Sequence, residues 1–425
     1  MGASTSSIGD TILFPAPEPS YDESLPGLLW IEDDFPSRPP IASVASRAIE
    51  LQLRKDSHSR GRCFPAFFVA PPNGAGKYVL LYWHGNSCDL GHIKEELEVL
   101  SGYLNCHCLA IEFPGYGLAA PATPPTASAA AAARANRKSR VSISETINKW
   151  SRAAFNFLVW MGAPPTNIIC FGRSIGTGPA AHLAATLLAE GIKVGGVVLH
   201  APYISVHKIV AEYTALGTWL IDDHWDNAGS LQQMAPDTPL LIIHGEDDEI
   251  IPTAHGRCLL DGYEGHHVKH GFFPSDSSHN AYYVIDDLGK PIQTFLAEAA
   301  RGRSTSVFEI SIPPFMTERP SLDARPAVTT AARGAAEAAA AAAAAGVMTV
   351  SVTTHKTGAA TTATSEAAGP LAVSSPEPSG PVTFNRLLEC GLLSGSTLDE
   401  IVGGAIREAQ ALEGSKGSGA AANKK

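Results

Sequence analysis

The sequence predicts an α/β fold built on a mostly parallel central sheet with helices on both faces, and three observations carry that prediction. Short, unbroken apolar runs such as Val197-Val198-Leu199 and Leu240-Leu241-Ile242-Ile243 read as strands buried on both faces. Between such runs, Ile143, Ile147, Trp150, Ala154, Phe157 and Met161 recur at steps of three and four, which is one face of an amphipathic helix. The alternation of the two patterns persists from about Phe64 to about residue 300, as crossover connections between parallel strands require.

In chain order, residues 1–60 are proline-rich and are expected to be irregular, wrapping over the domain. Strands are expected at Phe67-Phe68-Val69, over Val79–Trp83 and at Leu109-Ala110-Ile111, with a helix over 94–104. Residues 119–140 form an Ala/Pro-rich insertion that ends in the basic cluster Arg134, Arg137, Lys138 and Arg140. A helix over 143–161, a strand over 168–171 and a helix over 176–190 follow. Further strands are expected over 197–199, 240–243 and 268–273.

The catalytic domain is therefore placed at 61–300, long enough to bury a substantial core. Residues 301–425 are rich in Ala, Thr, Ser and Pro, include an alanine run over 338–345, and are expected to be mostly disordered because they bury too little apolar surface. One late segment, with Ser396-x-x-Asp399 as a capping box before Ile401, Val402 and Ile406, reads equally as a partner-binding helix or as a transient helix without a role.

Composition excludes several classes. A formal net charge of −11 gives no reason to expect nucleic acid as a partner. Seven cysteines without regular spacing form neither a disulfide framework nor a zinc motif, so reduced thiols in the cytosol and no metal are expected. No apolar run reaches the ~18 residues that a spanning helix needs. Met1-Gly2-Ala3-Ser4-Thr5-Ser6 fits the pattern for N-myristoylation at Gly2. A single acyl chain gives only reversible attachment, which makes the cytosolic membrane surface the expected location.

The chemistry is carried by Gly172-Arg173-Ser174-Ile175-Gly176, a G-x-S-x-G between a predicted strand and a predicted helix. In that context it marks a tight turn presenting Ser174 as a nucleophile. A hydroxyl needs a base, and the base needs an orienting carboxylate. The strand over 240–243 runs into His244-Gly245-Glu246-Asp247-Asp248, where Asp248 is the leading carboxylate by its H-G-x-x-D spacing and Asp247 remains the alternative. His279, after the predicted strand over 268–273 and a polar loop, is the candidate base among fifteen histidines. His84 and His244 stand in H-G pairs at strand ends and read as turn or hydrogen-bonding residues. An oxyanion is expected to meet the backbone N–H groups of Ile175 and of Asn86 in His84-Gly85-Asn86-Ser87.

Taken together, Phe14-Pro15-Ala16-Pro17-Glu18-Pro19-Ser20-Tyr21, Tyr82-Trp83-His84-Gly85-Asn86, Gly115-Tyr116-Gly117, Gly172–Gly178, His244-Gly245-x-x-Asp248 and Ser278-His279-Asn280 resemble the α/β-hydrolase domain-containing protein 17 family of membrane-associated palmitoyl-protein thioesterases, over about residues 12–300. The resemblance implies an α/β-hydrolase fold with a small cap. It also implies a serine hydrolase that needs no cofactor and removes fatty acyl groups from S-acylated protein cysteines. This chain departs from that family in having no cysteine before Cys63, in the insertion and in the long tail.

Two rivals stay open: a carboxylesterase or lysophospholipid lipase with the same triad, and a noncatalytic scaffold that recruits a protein partner through its tail. Between the strands over 197–199 and 240–243, Tyr203, Ile204, Val206, Ile209, Val210, Tyr213, Leu216, Trp219 and Leu220 read either as the lining of an acyl groove or as ordinary core. The basic cluster at 134–140 reads as a contact for anionic headgroups or as a solvated loop.

Overall fold

The computed structural model describes residues 13–37, 62–119, 142–213, 225–234, 237–264, 268–300 and 306–320, with a short helical piece at 52 and 54–58. In chain order its elements are β1 (Leu28–Glu32), β2 (Cys63–Val69), β3 (Ala75–Gly76), β4 (Val79–Trp83), α1 (Leu90–Leu104), β5 (His107–Ile111), α2 (Ile143–Trp160), β6 (Ile168–Arg173), α3 (Thr177–Ala189), β7 (Gly196–His200), α4 (Val206–Tyr213), α5 (Asn227–Met234), β8 (Leu240–Ile243), α6 (Ala254–Gly262), β9 (Lys269–Phe272), α7 (Lys290–Ala299) and β10 (Phe308–Glu309).

Eight strands form one sheet in the order β1-β2-β5-β4-β6-β7-β8-β9. β1 pairs antiparallel with β2, and β2 antiparallel with β5. From β5 to β9 every pairing is parallel. This is the α/β-hydrolase fold. Every residue of β4 to β8 is buried. Side chains alternate between faces along a strand, so each strand feeds two cores. Leu81, Trp83, Cys170 and Leu199 pack on one side with Trp150, Phe157 and Leu183 of α2 and α3. Leu80, Tyr82, Phe171 and Val198 pack on the other with Ile93, Leu97, Ile292 and Phe295 of α1 and α7.

Strand order sets where chemistry can sit. β4 has β5 on one side and β6 on the other, so the connections leaving their C-terminal ends diverge and open a crevice. The loops after β4, β6, β8 and β9 all emerge at that edge, and they carry Asn86, Ser174, Asp248 and His279.

One expectation about the chain's periphery is corrected. Residues 1–60 are not wholly irregular, because Leu28-Leu29-Trp30-Ile31-Glu32 forms β1, in register with Phe67 through Cys63 of β2. The apolar run is short and surrounded by proline, which hid it. Within the segment after 301, residues 306–320 are described and pack on the domain. Phe308 and Glu309 pair with Gly76 and Ala75 of β3, Ile310 and Met316 are buried, and His107 Nε2 lies 3.1 Å from Phe308 O. Arg319 covers the ring of Trp30 at 5.0 Å. Beyond His279 the chain is irregular up to Val284, where a widened turn over Val284–Gly289 runs into α7. Gly2, the basic cluster at 134–140 and the segment at 396–409 lie outside the described residues.

Candidate active site

Ser174 sits in a one-turn 3₁₀ helix, Ser174–Gly176, between β6 and α3, with φ at +53°. A non-glycine residue in that region is strained by about 1–3 kcal/mol and persists only where its surroundings enforce it. Here the flanking glycines do so. A Cβ on Gly172 would strike the Gly176 carbonyl and lie 2.6 Å from Thr177 Cα, and one on Gly176 would strike the carbonyls of Trp83 and His84. The turn is thus pressed against the end of β4, and Ser174 is buried at the foot of the crevice. Ile175, next in the chain, lies in the same turn just before α3 begins at Thr177, and the positive end of a helix dipole favours negative charge nearby.

His279 Nε2 lies 3.0 Å from Ser174 Oγ, and His279 Nδ1 lies 2.8 Å from Asp248 Oδ2. Asp248, not Asp247, makes this contact. Its Oδ1 accepts from the backbone N–H groups of Ile250, at 2.9 Å, and Ile251, at 2.7 Å. His244 Nε2 lies 2.8 Å from Ile251 O and 3.2 Å from Asp248 Oδ2, the geometry of one N–H shared between two acceptors. Burial pushes the Asp248 carboxyl up, but hydrogen bonds from His244 and His279, the charge of His279 and the Ile251 N–H outweigh it. The group is held well below the ordinary carboxylate range. The base loop is fixed through its backbone: His279 N donates to Glu249 Oε2 at 3.2 Å, and Asp247 N to Ser277 O at 3.1 Å.

The loop after β4 passes beside Ser174, since the position a Cβ would take on Gly85 is 3.5 Å from Ser174 Cβ. Asn86 Oδ1 accepts from Tyr116 OH at 3.3 Å. His84 is fully buried. Its Nδ1 donates to Gly85 O at 2.9 Å, and its Nε2 faces Glu112 Oε1 at 2.9 Å. Glu112 also accepts from Phe113 N, Leu90 N and Tyr21 OH, at 3.1, 3.2 and 2.8 Å. Sequence reasoning missed Glu112, as well as the reason for the Phe14–Tyr21 motif. That motif is a strap: Ser20 donates from both its N–H (2.7 Å) and its hydroxyl to Asp89, and Tyr21 reaches Glu112 behind the loop. The proline spacing signalled a rigid extended segment; nothing local revealed its partner, 69 to 91 residues away.

Tyr203 and Val206 are buried in the core, whereas Leu216, Trp219 and Leu220 lie outside the described residues. A separate groove of about 790 Å³, lined among others by Phe272, Pro274, Asp287 and Lys290, runs between β9 and α7 and includes none of Ser174, Asp248 or His279. Among the described residues no group of three His, Cys, Asp or Glu side chains is arranged to hold a metal ion, and no helix is long and apolar enough to cross a membrane.

No family model matches the chain. It is 28% identical over 258 residues to α/β-hydrolase domain-containing protein aho-3 of Caenorhabditis elegans, covering 60% of this chain and 68% of that protein. It is also 28% identical over 260 residues to α/β-hydrolase domain-containing protein 17B of Homo sapiens, covering 60% and 79%. Among solved structures, an acetyl xylan esterase from Paenibacillus sp. R4 overlaps with a TM-score of 0.43 at 14% identity, over 56% of this chain and 80% of that one. An esterase domain from a Rhodothermus marinus protein overlaps with a TM-score of 0.37 at 15% identity, over 57% and 93%. The fold assignment rests on the strand order above, and the sequence matches make this chain a distant homologue of the α/β-hydrolase domain-containing 17B, 17C and aho-3 proteins.

Proposed function

We propose that the protein is a serine hydrolase that removes fatty acyl groups from S-acylated cysteines of proteins. The observation that supports this reading most is the unbroken relay Ser174 Oγ, His279, Asp248, at 3.0 and 2.8 Å. His279 takes the Ser174 proton as Oγ attacks the thioester carbonyl. The oxyanion is held by the N–H groups of Ile175 and Asn86. Collapse breaks the C–S bond, and the cysteine sulfur leaves with the proton from His279. Water, deprotonated by the same imidazole, then hydrolyses the acyl-enzyme and frees Ser174.

Reversible attachment to the cytosolic membrane face through a lipid on Gly2 belongs to the same proposal. A Gly2→Ala variant is expected to shift from the membrane to the soluble fraction, and unchanged fractionation would remove the lipid from the reading.

Turnover of an S-palmitoyl-cysteine peptide and of a matched oxygen ester, with Ser174→Ala as control, tests the activity. Faster thioester cleavage that is abolished in the variant supports the depalmitoylating reading. Turnover of the oxygen ester alone points instead to a carboxylesterase or lysophospholipid lipase. No turnover of either, together with no labelling of Ser174 by a fluorophosphonate, leaves a noncatalytic scaffold.

A further inference from the structure

Arg173, the residue before the nucleophile, is buried at the end of β6, on the face of the strand that Phe171 also uses. Its Nη2 donates to His279 O at 2.9 Å and to Asn280 Oδ1 at 2.8 Å. The guanidinium lies over the ring of Tyr282 at 5.6 Å. Nη1 is 4.0 Å from Cys88 Sγ and 2.8 Å from the position a Cβ would take on Gly85. One side chain therefore touches the base loop and the oxyanion loop, and its own backbone is the nucleophile turn.

The charge is answered from α1. Glu96, buried, accepts from Tyr282 OH at 2.6 Å and from Tyr82 OH at 3.2 Å. Burial raises the Glu96 carboxyl, while the Tyr282 hydroxyl, the nearby charge of Arg173 and the Tyr82 hydroxyl oppose that rise. Burying two ions costs several kcal/mol each before their attraction is counted, and apolar residues of the same volume fill a core without that cost. What a guanidinium adds is a rigid planar fork that fixes the direction of several acceptors at once.

We propose that Arg173 is a positioning residue: it clamps the His279–Asn280 backbone and the Gly85–Cys88 loop to the turn that carries Ser174. The proposal rests on the serine-hydrolase reading. Without the clamp, His279 and the oxyanion donors keep their chemistry but lose their register with Oγ, and a misplacement of about 1 Å costs on the order of 10²-fold in rate.

The test compares Arg173→Lys, Asn280→Ala and the double variant Arg173→Met/Glu96→Gln with the parent, using a short-chain p-nitrophenyl ester. The double variant removes both charges together and so avoids stranding a buried carboxylate. Each variant is first checked for cooperative melting. The expected result is kcat lower by about 10²-fold in Arg173→Lys and in the double variant, and by a smaller factor in Asn280→Ala, with KM nearly unchanged. Guanidinium, added well below denaturing concentration, is expected to restore part of the rate in an Arg173→Ala variant, with sodium chloride inactive as the matched control. A folded double variant with parental kcat overturns the clamp, as does a loss confined to KM. If the parent itself is neither active nor labelled at Ser174, the hydrolase reading falls and the clamp with it, a failure seen before any variant is made.

Discussion

Asp248 must stay ionised while it holds His279, and its surroundings guarantee that it does. Four polar groups converge on this one carboxylate: the rings of His279 and His244 and the N–H groups of Ile250 and Ile251, and the charge on His279 holds it down further. Because the folded value lies below the ordinary one, acidification does not inactivate the site by protonating Asp248 first. An Asp248→Asn variant keeps the shape but turns the amide toward His279 and favours the wrong tautomer. Its kcat is expected to fall on the order of 10³–10⁴-fold in a variant that still melts cooperatively. Unchanged kcat in steady-state assays would transfer the role to Asp247. At Gly172 the outcome is different, because a Cβ there meets backbone with no room to move. Gly172→Ala is expected to lower stability by about 1–3 kcal/mol and to abolish Ser174 labelling, as read by denaturant titration and an active-site probe.

At the scale of elements, the strap over residues 13–21 ties the N-terminal side of the chain to Asp89, at the end of the loop after β4, and to Glu112. Phe14 packs edge-on against Phe113 and Trp225, at 6.4 and 6.0 Å between ring centres. Burial, and then the charge of Glu112, push the Tyr21 hydroxyl far above its ordinary range, so it remains a neutral donor. Tyr21→Phe is expected to destabilise by about 1 kcal/mol in urea titration and to lower kcat by loosening Glu112 and His84. Asp89 caps α1 and takes the Ser20 bonds; burial raises its carboxyl, but the hydrogen bonds from His92 and Ser20 prevail and hold it at about 2. The folded value lies below the unfolded one of about 3.9. The contribution to stability is therefore fully present above the unfolded value and is lost as pH falls through about 2. The stability gap between parent and Asp89→Asn is expected to be constant near neutral pH and to narrow below about pH 4. A gap that widens on acidification would contradict this account.

For the whole molecule, the parallel core of the sheet is the frame that brings four distant loops to one edge, and the periphery closes it. β10 and the turn over Pro314–Thr317 cover the side of the sheet near β1 and β3. Met316, 1% exposed, packs into the same core as Phe64 and Trp150. Met316→Ala is expected to cost about 2–5 kcal/mol, although the residue lies in a stretch whose composition reads as tail. Equal melting temperatures would show that this stretch is dispensable.

What the sequence determined by itself follows from short-range physics. Strand and helix periods, the glycine-flanked serine between a strand and a helix, and the H-G-x-x-D and S-H-N loops are all local patterns, because steric demand and amphipathicity act within a few residues. They sufficed to select an α/β fold and to name Ser174, Asp248 and His279, which the structure brings within hydrogen-bonding reach of one another. Tertiary structure alone decided the rest. Spacing ranked Asp248 above Asp247, and the fold removed the alternative by facing the Asp248 carboxylate to His279. β1 and β10 exist because partners far along the chain complete their hydrogen bonds. Arg173, Glu96, Glu112 and the Ser20–Tyr21 strap carry no periodic signal, since a buried charge is tolerable only where the fold delivers its counter-charge and donors. Those partners come from across the sheet, at separations no local pattern encodes.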